Sequence, residues 1–150
     1  MSDSGISTAK RPDIQSADPQ EIARHYQQIL THHIDRAKLP QVYGWTSQVV
    51  MAIIWRMGKT PLEITLIAEE LALPSRTLQN YLSQEGTNFS FLRDRVRQHY
   101  ALRMLIDGQK VEEIYPMLDF NDRSGFINAF KRWTGMSPGN FRKLYTQYLC

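Results

Sequence analysis

Two short stretches carry polar side chains at a spacing that lets them act together. In SRTLQNYLSQ (75–84), Arg76, Gln79, Asn80 and Ser83 stand at i, i+3, i+4 and i+7, while Leu78, Tyr81 and Leu82 point the other way. In DRSGFINAFKRW (122–133), Ser124, Ile127, Asn128 and Lys131 form an outward face opposite Phe126, Phe130 and Trp133. Gln and Asn carry a donor beside an acceptor, the fork that matches the edge of adenine. Cations beside such forks offer charge-assisted bonds to phosphate. From Arg123 to the last residue there are five cations (Arg123, Lys131, Arg132, Arg142, Lys143) and no acid, although the formal net charge is only +3. That sorting points to a face for a polyanion such as double-stranded DNA. The aromatic residues threaded through the basic run read as core, the support on which such a face is carried.

The elements that must position these residues follow from capping and periodicity. Residues 1–17 are polar with almost no apolar periodicity and read as a disordered leader. Asp18-Pro19-Gln20-Glu21 is a helix start, and Ile22, Tyr26, Ile29, Leu30, Ile34 and Ala37 continue it at helical spacing to about 37. Leu39-Pro40 and Gly44 break that helix, Thr46 or Ser47 can cap a second one through Met57, and Gly58 ends it. Thr60-Pro61-Leu62-Glu63 reads as the next start, with Ile64, Ile67, Ala68 and Leu71 as its stripe, followed by the turn Ala72-Leu73-Pro74. Helix, three-residue turn and polar-faced helix make a helix-turn-helix. The pattern returns about 47 residues later, where VEEIYPML (111–118) leads through Asp119-Phe120-Asn121 into the second polar-faced helix. FSFLRDRVRQHYALRMLI (89–106) suits a single long helix between them, stopped by Gly108. The expected fold is all-α: two helix-turn-helix units joined by a long helix and preceded by an extra N-terminal helix.

The residues that carry this duplication resemble the AraC/XylS transcriptional regulators over roughly 46–145. LPSRTLQNYL (73–82), the R-x-x-x-A-x-x-x-L pattern of RQHYALRML (97–105) and DFNDRSGFINAFKRWTGMSPGNFRK (119–143) carry the resemblance. It implies a DNA-binding domain at 46–150, with units at about 60–84 and 110–134, a connecting helix at about 89–107 and a last helix at about 137–149. It also implies base reading by Arg76, Gln79 and Asn80 in the first unit and by Arg123, Ser124, Ile127 and Asn128 in the second. Ser83, Arg93, Arg95, Lys131, Arg132 and Arg142 are the phosphate candidates, with intramolecular pairing as the other use open to the lysine and the four arginines. Family members commonly activate transcription by touching RNA polymerase.

Three residues of the second unit depart from the family pattern. Pro116 interrupts its first helix, Asp119 stands where the turn usually has Gly, and Gly125 lies in the recognition helix. A mid-helix proline costs roughly 3 kcal/mol unless the helix kinks, and a helical glycine about 1 kcal/mol. Weaker base reading is therefore expected from the second unit, which in the limit serves as a phosphate clamp. Residues 18–45 offer one helix and a linker, too little for a small-molecule effector domain, so no such effector is expected. That helix can pack on its own domain, dimerise or dock on another protein. The runner-up function is accordingly a protein-binding co-regulator or antagonist that keeps the fold.

Other classes find no support in the chain. It has no HExxH, no Gly-rich phosphate loop and no nucleophile elbow, and its single cysteine, Cys150, cannot form an internal pair. The histidines at 25, 32 and 33 lack the spacing and third ligand of a metal site, so neither metal nor cofactor is expected. No apolar run is long enough to span a membrane and no signal peptide is visible, which leads to a cytoplasmic expectation.

Overall fold

The computed structural model describes residues 18–150, and the leader expected at 1–17 lies outside them. The described residues form eight helices: α1 Pro19–Arg36, α2 Gly44–Arg56, α3 Ile64–Glu70, α4 Ser75–Gln84, α5 Phe89–Ile106, α6 Val111–Met117, α7 Arg123–Thr134 and α8 Pro138–Tyr148. No strand occurs among them.

Two apolar cores share α5 as a wall. Its first half supplies Phe89, Leu92 and Val96 to a core completed by Val49, Val50 and Ile53 of α2, Ile67 and Ala68 of α3, and Leu78 and Leu82 of α4. Its second half supplies Ala101, Leu102 and Leu105 to a core with Ile114, Phe126, Phe130, Phe141 and, from α1, Leu30. Met57 and Tyr100 touch both. Phe126, Phe130 and Phe141 are wholly buried, and each such side chain stabilises the fold by roughly 1.5–3 kcal/mol. The buried Arg97 ties α5 to the second unit: its Nε donates to Leu118 O and its Nη2 to Asp119 O, both at 2.7 Å, with the guanidinium 4.2 Å from the Phe120 ring centroid. Burial draws its pKa down to about 10, still well above neutrality.

The N-terminal helix folds back on the domain and lies along α8. Asp18 caps it by accepting from Gln20 N at 3.2 Å, as the sequence predicts. Tyr26 stacks on Tyr148 at 5.1 Å, Gln27 Nε2 donates to Tyr148 O at 2.8 Å, and Leu30 is fully buried. His33 is buried too, and its Nδ1 has no partner.

Two helix starts differ from the sequence expectation because distant side chains claim the polar groups around them, capping α2 and holding the segment before α3 out of the helix. Helix α2 begins at Gly44, before Thr46, and its first amides are capped by Glu85: Trp45 N and Thr46 N donate to that carboxylate at 3.0 and 2.8 Å. The Thr46 hydroxyl joins them at 2.5 Å, and these bonds hold the Glu85 carboxyl below its usual range. Helix α3 begins at Ile64, not at the Thr60-Pro61-Leu62-Glu63 start. Thr60 instead accepts from Arg56 Nη1, while Leu62 N and O bond to Asp119 and Arg93. Residues 60–63 are thus a tether, with both polar groups of buried Leu62 taken up outside the helix.

Candidate nucleic-acid interface

Helix α4 enters from Pro74 in extended backbone, after a turn in which Ala72 takes φ 60°. Leu78 and Leu82 sink into the first core, which leaves Arg76, Gln79, Asn80 and Ser83 exposed together. Helix α7 enters from Asp122, whose side chain accepts from Gly125 N at 2.7 Å. Phe126, Ala129 and Phe130 face the second core, so Arg123, Ser124, Asn128 and Lys131 lie exposed, while Ile127 is half-buried against the aromatic cluster. Arg76 and Lys131 take part in none of the ion pairs among the described residues. A polar face unspent on the protein is free to meet a ligand.

The other cations are partly engaged. Arg123 Nε pairs with Glu112 at 2.9 Å, and the Glu112 carboxyl is drawn down first by its own backbone amide and then by Arg123. Arg132 reaches Asp94 of α5 at 3.2 Å. Both pairs are largely exposed, where an ion pair contributes little and exchanges readily for another anion. Arg93 donates to Leu62 O, Arg95 to Lys38 O at 2.7 Å, and Arg142 to Leu105 O and Gln109 O, the last two bonds closing the end of α5. Of the two uses open to these three arginines, the structure displays the intramolecular one.

The departures in the second unit are each accommodated. Pro116 sits one residue from the end of the seven-residue α6, so its missing amide leaves only the Glu112 carbonyl without its donor, on an exposed residue where water can serve. Leu118 N still bonds to Ile114 O at 3.2 Å. Asp119 takes φ 62°, the left-handed region open to Asp, and uses its side chain as an acceptor. Gly125 is the third residue of α7, not its interior; a Cβ there would stand 3.2 Å from Asp122 Oδ1 and 3.8 Å from the Phe120 ring. Glycine at that position lets the cap and the aromatic cluster close on the helix start.

Sequence reasoning missed Glu85, Glu112 and the side chain of Asp119. Their partners are 39 to 40, 11 and 57 positions away, beyond any local pattern.

A family model described as a helix-turn-helix domain matches residues 67–144. The chain belongs to the AraC family of helix-turn-helix transcriptional regulators. Among its relatives, an ornithine utilization regulator from Pseudomonas aeruginosa is 36% identical over 101 residues, which is 67% of this chain and 30% of that protein. The HTH-type transcriptional regulator VirS of Mycobacterium tuberculosis is 29% identical over 135 residues, 89% of this chain and 38% of its own. The match therefore spans about a third of the length of these AraC-type relatives, which are named as regulators and not enzymes. A crystal structure of a DNA-binding transcriptional dual regulator from Escherichia coli K-12 shares the fold, with a TM-score of 0.65 at 22% identity over 73% of this chain and 99% of that one. The transcriptional regulator CdpR from Pseudomonas aeruginosa superposes with a TM-score of 0.62 at 27% identity, over 81% of this chain and 36% of its own. None of the described helices is long and apolar enough to cross a membrane.

Proposed function

We propose that this AraC-type domain recognises a specific double-stranded DNA sequence, with α4 and α7 entering two successive major-groove segments on one face of the duplex. The observation that carries the reading is the pair of exposed polar faces, each on the second helix of a helix-turn-helix and both held by one rod. At about 1.5 Å per residue, the 18 residues of α5 span roughly 27 Å, comparable with the roughly 34 Å between successive major-groove segments. Arg76, Gln79 and Asn80 of α4 and Arg123, Ser124, Ile127 and Asn128 of α7 are the base-reading set. Ser83, Lys131 and Arg132 are the phosphate set, with Arg132 exchanging its exposed carboxylate partner for phosphate and Arg123 leaving its own for a base edge. Arg93, Arg95 and Arg142 act as internal braces. Because Pro116, Asp119 and Gly125 fit without distorting α7, the second unit reads bases alongside the first.

Bound in this way, the protein acts in the cytoplasm as a transcription activator through contact with RNA polymerase. Selection of bound fragments from mixed genomic DNA, followed by titration of the best fragment against salt, tests the reading. Engagement of about two to three phosphates by Lys131, Arg132 and Ser83 gives a log–log slope between about −2 and −3, at about −0.9 per phosphate. A slope near zero, or no enrichment while a protein partner is retained, favours the co-regulator reading instead.

A further inference from the structure

We propose that Asp119 is a positioning residue that locks the second helix-turn-helix to the first, fixing the spacing at which α4 and α7 meet their targets. The consequence for DNA rests on the base-reading role of those helices; the lock itself rests on geometry alone. Asp119 lies in the turn between α6 and α7 at φ 62°, where glycine is the usual occupant and another residue is strained. Its Oδ2 accepts from Leu62 N at 2.9 Å, across a separation of 57 residues. Among the described residues, this is the hydrogen bond that runs directly from the first unit to the second. Leu62 cannot drift to follow it, because its side chain is wholly buried in the first core and its carbonyl accepts from Arg93 of α5 at 3.2 Å. The other end is equally held, since Asp119 O and Leu118 O both accept from Arg97 of the same helix.

A closed frame results: the lead into α3, two arginines of α5 and the turn before α7 are joined through one carboxylate. The α7 helix starts four residues after Asp119, so movement of this turn against Leu62 is movement of one recognition helix against the other. Glycine would satisfy the backbone better and would carry no acceptor. The side chain at a position that disfavours side chains is thus used for the link between units.

Asp119→Gly removes the carboxylate and relieves the backbone, whereas Asp119→Asn keeps an acceptor of the same length and tolerates the same φ. Spin labels at Gln84→Cys and Asn140→Cys, in a Cys150→Ser background, report the distance between the units without DNA. Native and Asn proteins should give one narrow distribution and the Gly variant one about twice as wide, with melting curves recorded to show that all three are folded. Equal widths in the three folded proteins overturn the proposal. On the selected duplex, one inserted base pair between the two segments should weaken the native protein roughly tenfold and Asp119→Gly less than threefold. Equal losses also overturn it. If none of the three proteins binds either duplex, the DNA reading fails and the distance distributions alone decide the lock.

Discussion

Mild acid should destabilise this domain through one imidazole that is buried without a partner. His33 is 5% exposed, and its Nδ1 makes no hydrogen bond. Burial first, then the positive fields of His32 and Arg36, lower its pKa from 6.5 to about 4. The folded protein therefore holds the ring neutral, while the unfolded chain takes up a proton as pH falls through about 6.5. Stability from this group is fully present above the unfolded value and is lost progressively as pH falls toward the folded one. At pH 5 the solution is about 1.5 pH units below the unfolded value, which corresponds to about 2 kcal/mol at 1.36 kcal/mol per unit. His32 is only half-buried, so solvent screens part of this field, and roughly 1 kcal/mol is the expected loss. Urea denaturation at pH 7 and pH 5, for the native protein and His33→Leu, reads the effect. The comparison isolates His33 from His99, whose pKa is also lowered by burial, and the window lies above the range of carboxylates. The native protein should lose about 1 kcal/mol more than the variant, and His33→Leu should be no less stable at pH 7. Equal losses in the two proteins would refute the buried-imidazole argument.

Other substitutions probe separate parts of the account. Leu30→Ala, at the fully buried contact of α1 with the second core, should cost about 2–4 kcal/mol in urea melts; a loss below about 0.5 kcal/mol would show α1 to be detachable. Ala72→Gly, at φ 60° on an exposed turn, should stabilise by about 0.5–1 kcal/mol, since the left-handed backbone is strained for alanine; destabilisation would contradict that reading of the turn. Gln79→Ala, Asn80→Ala and Asn128→Ala should each cost roughly 1–3 kcal/mol on the selected fragment and far less on random DNA, measured by competition binding. A loss confined to the two α4 variants would return α7 to the role of a clamp.

The chain announces its helices far better than it announces what joins them. The α1 start is written in Asp18-Pro19 and the α4 and α7 faces in their spacing, because capping and amphipathic periodicity act over three or four residues. Thr60-Pro61-Leu62-Glu63 misleads for the same reason: it has the local form of a cap, yet Asp119, Arg93 and Arg56 claim its polar groups. Glu85 reads as an ordinary exposed acid after a recognition helix, and only folding brings the α2 amides to it. The arginines of α5 illustrate the limit at the site itself. Arg93 and Arg95 carry the same side chain as Arg76, and nothing local separates a brace from a surface cation until Leu62 and Lys38 are placed beside them.

The most direct test of the central claim is a hydroxyl-radical footprint of the intact protein on its best selected genomic fragment, combined with methylation interference to assign the groove. Two recognition helices on one rod predict two protected segments about one helical turn apart on the same face of the duplex, with interference at major-groove purines in both. Protection of a single segment, or protection that ignores sequence and spreads along the fragment, would contradict it.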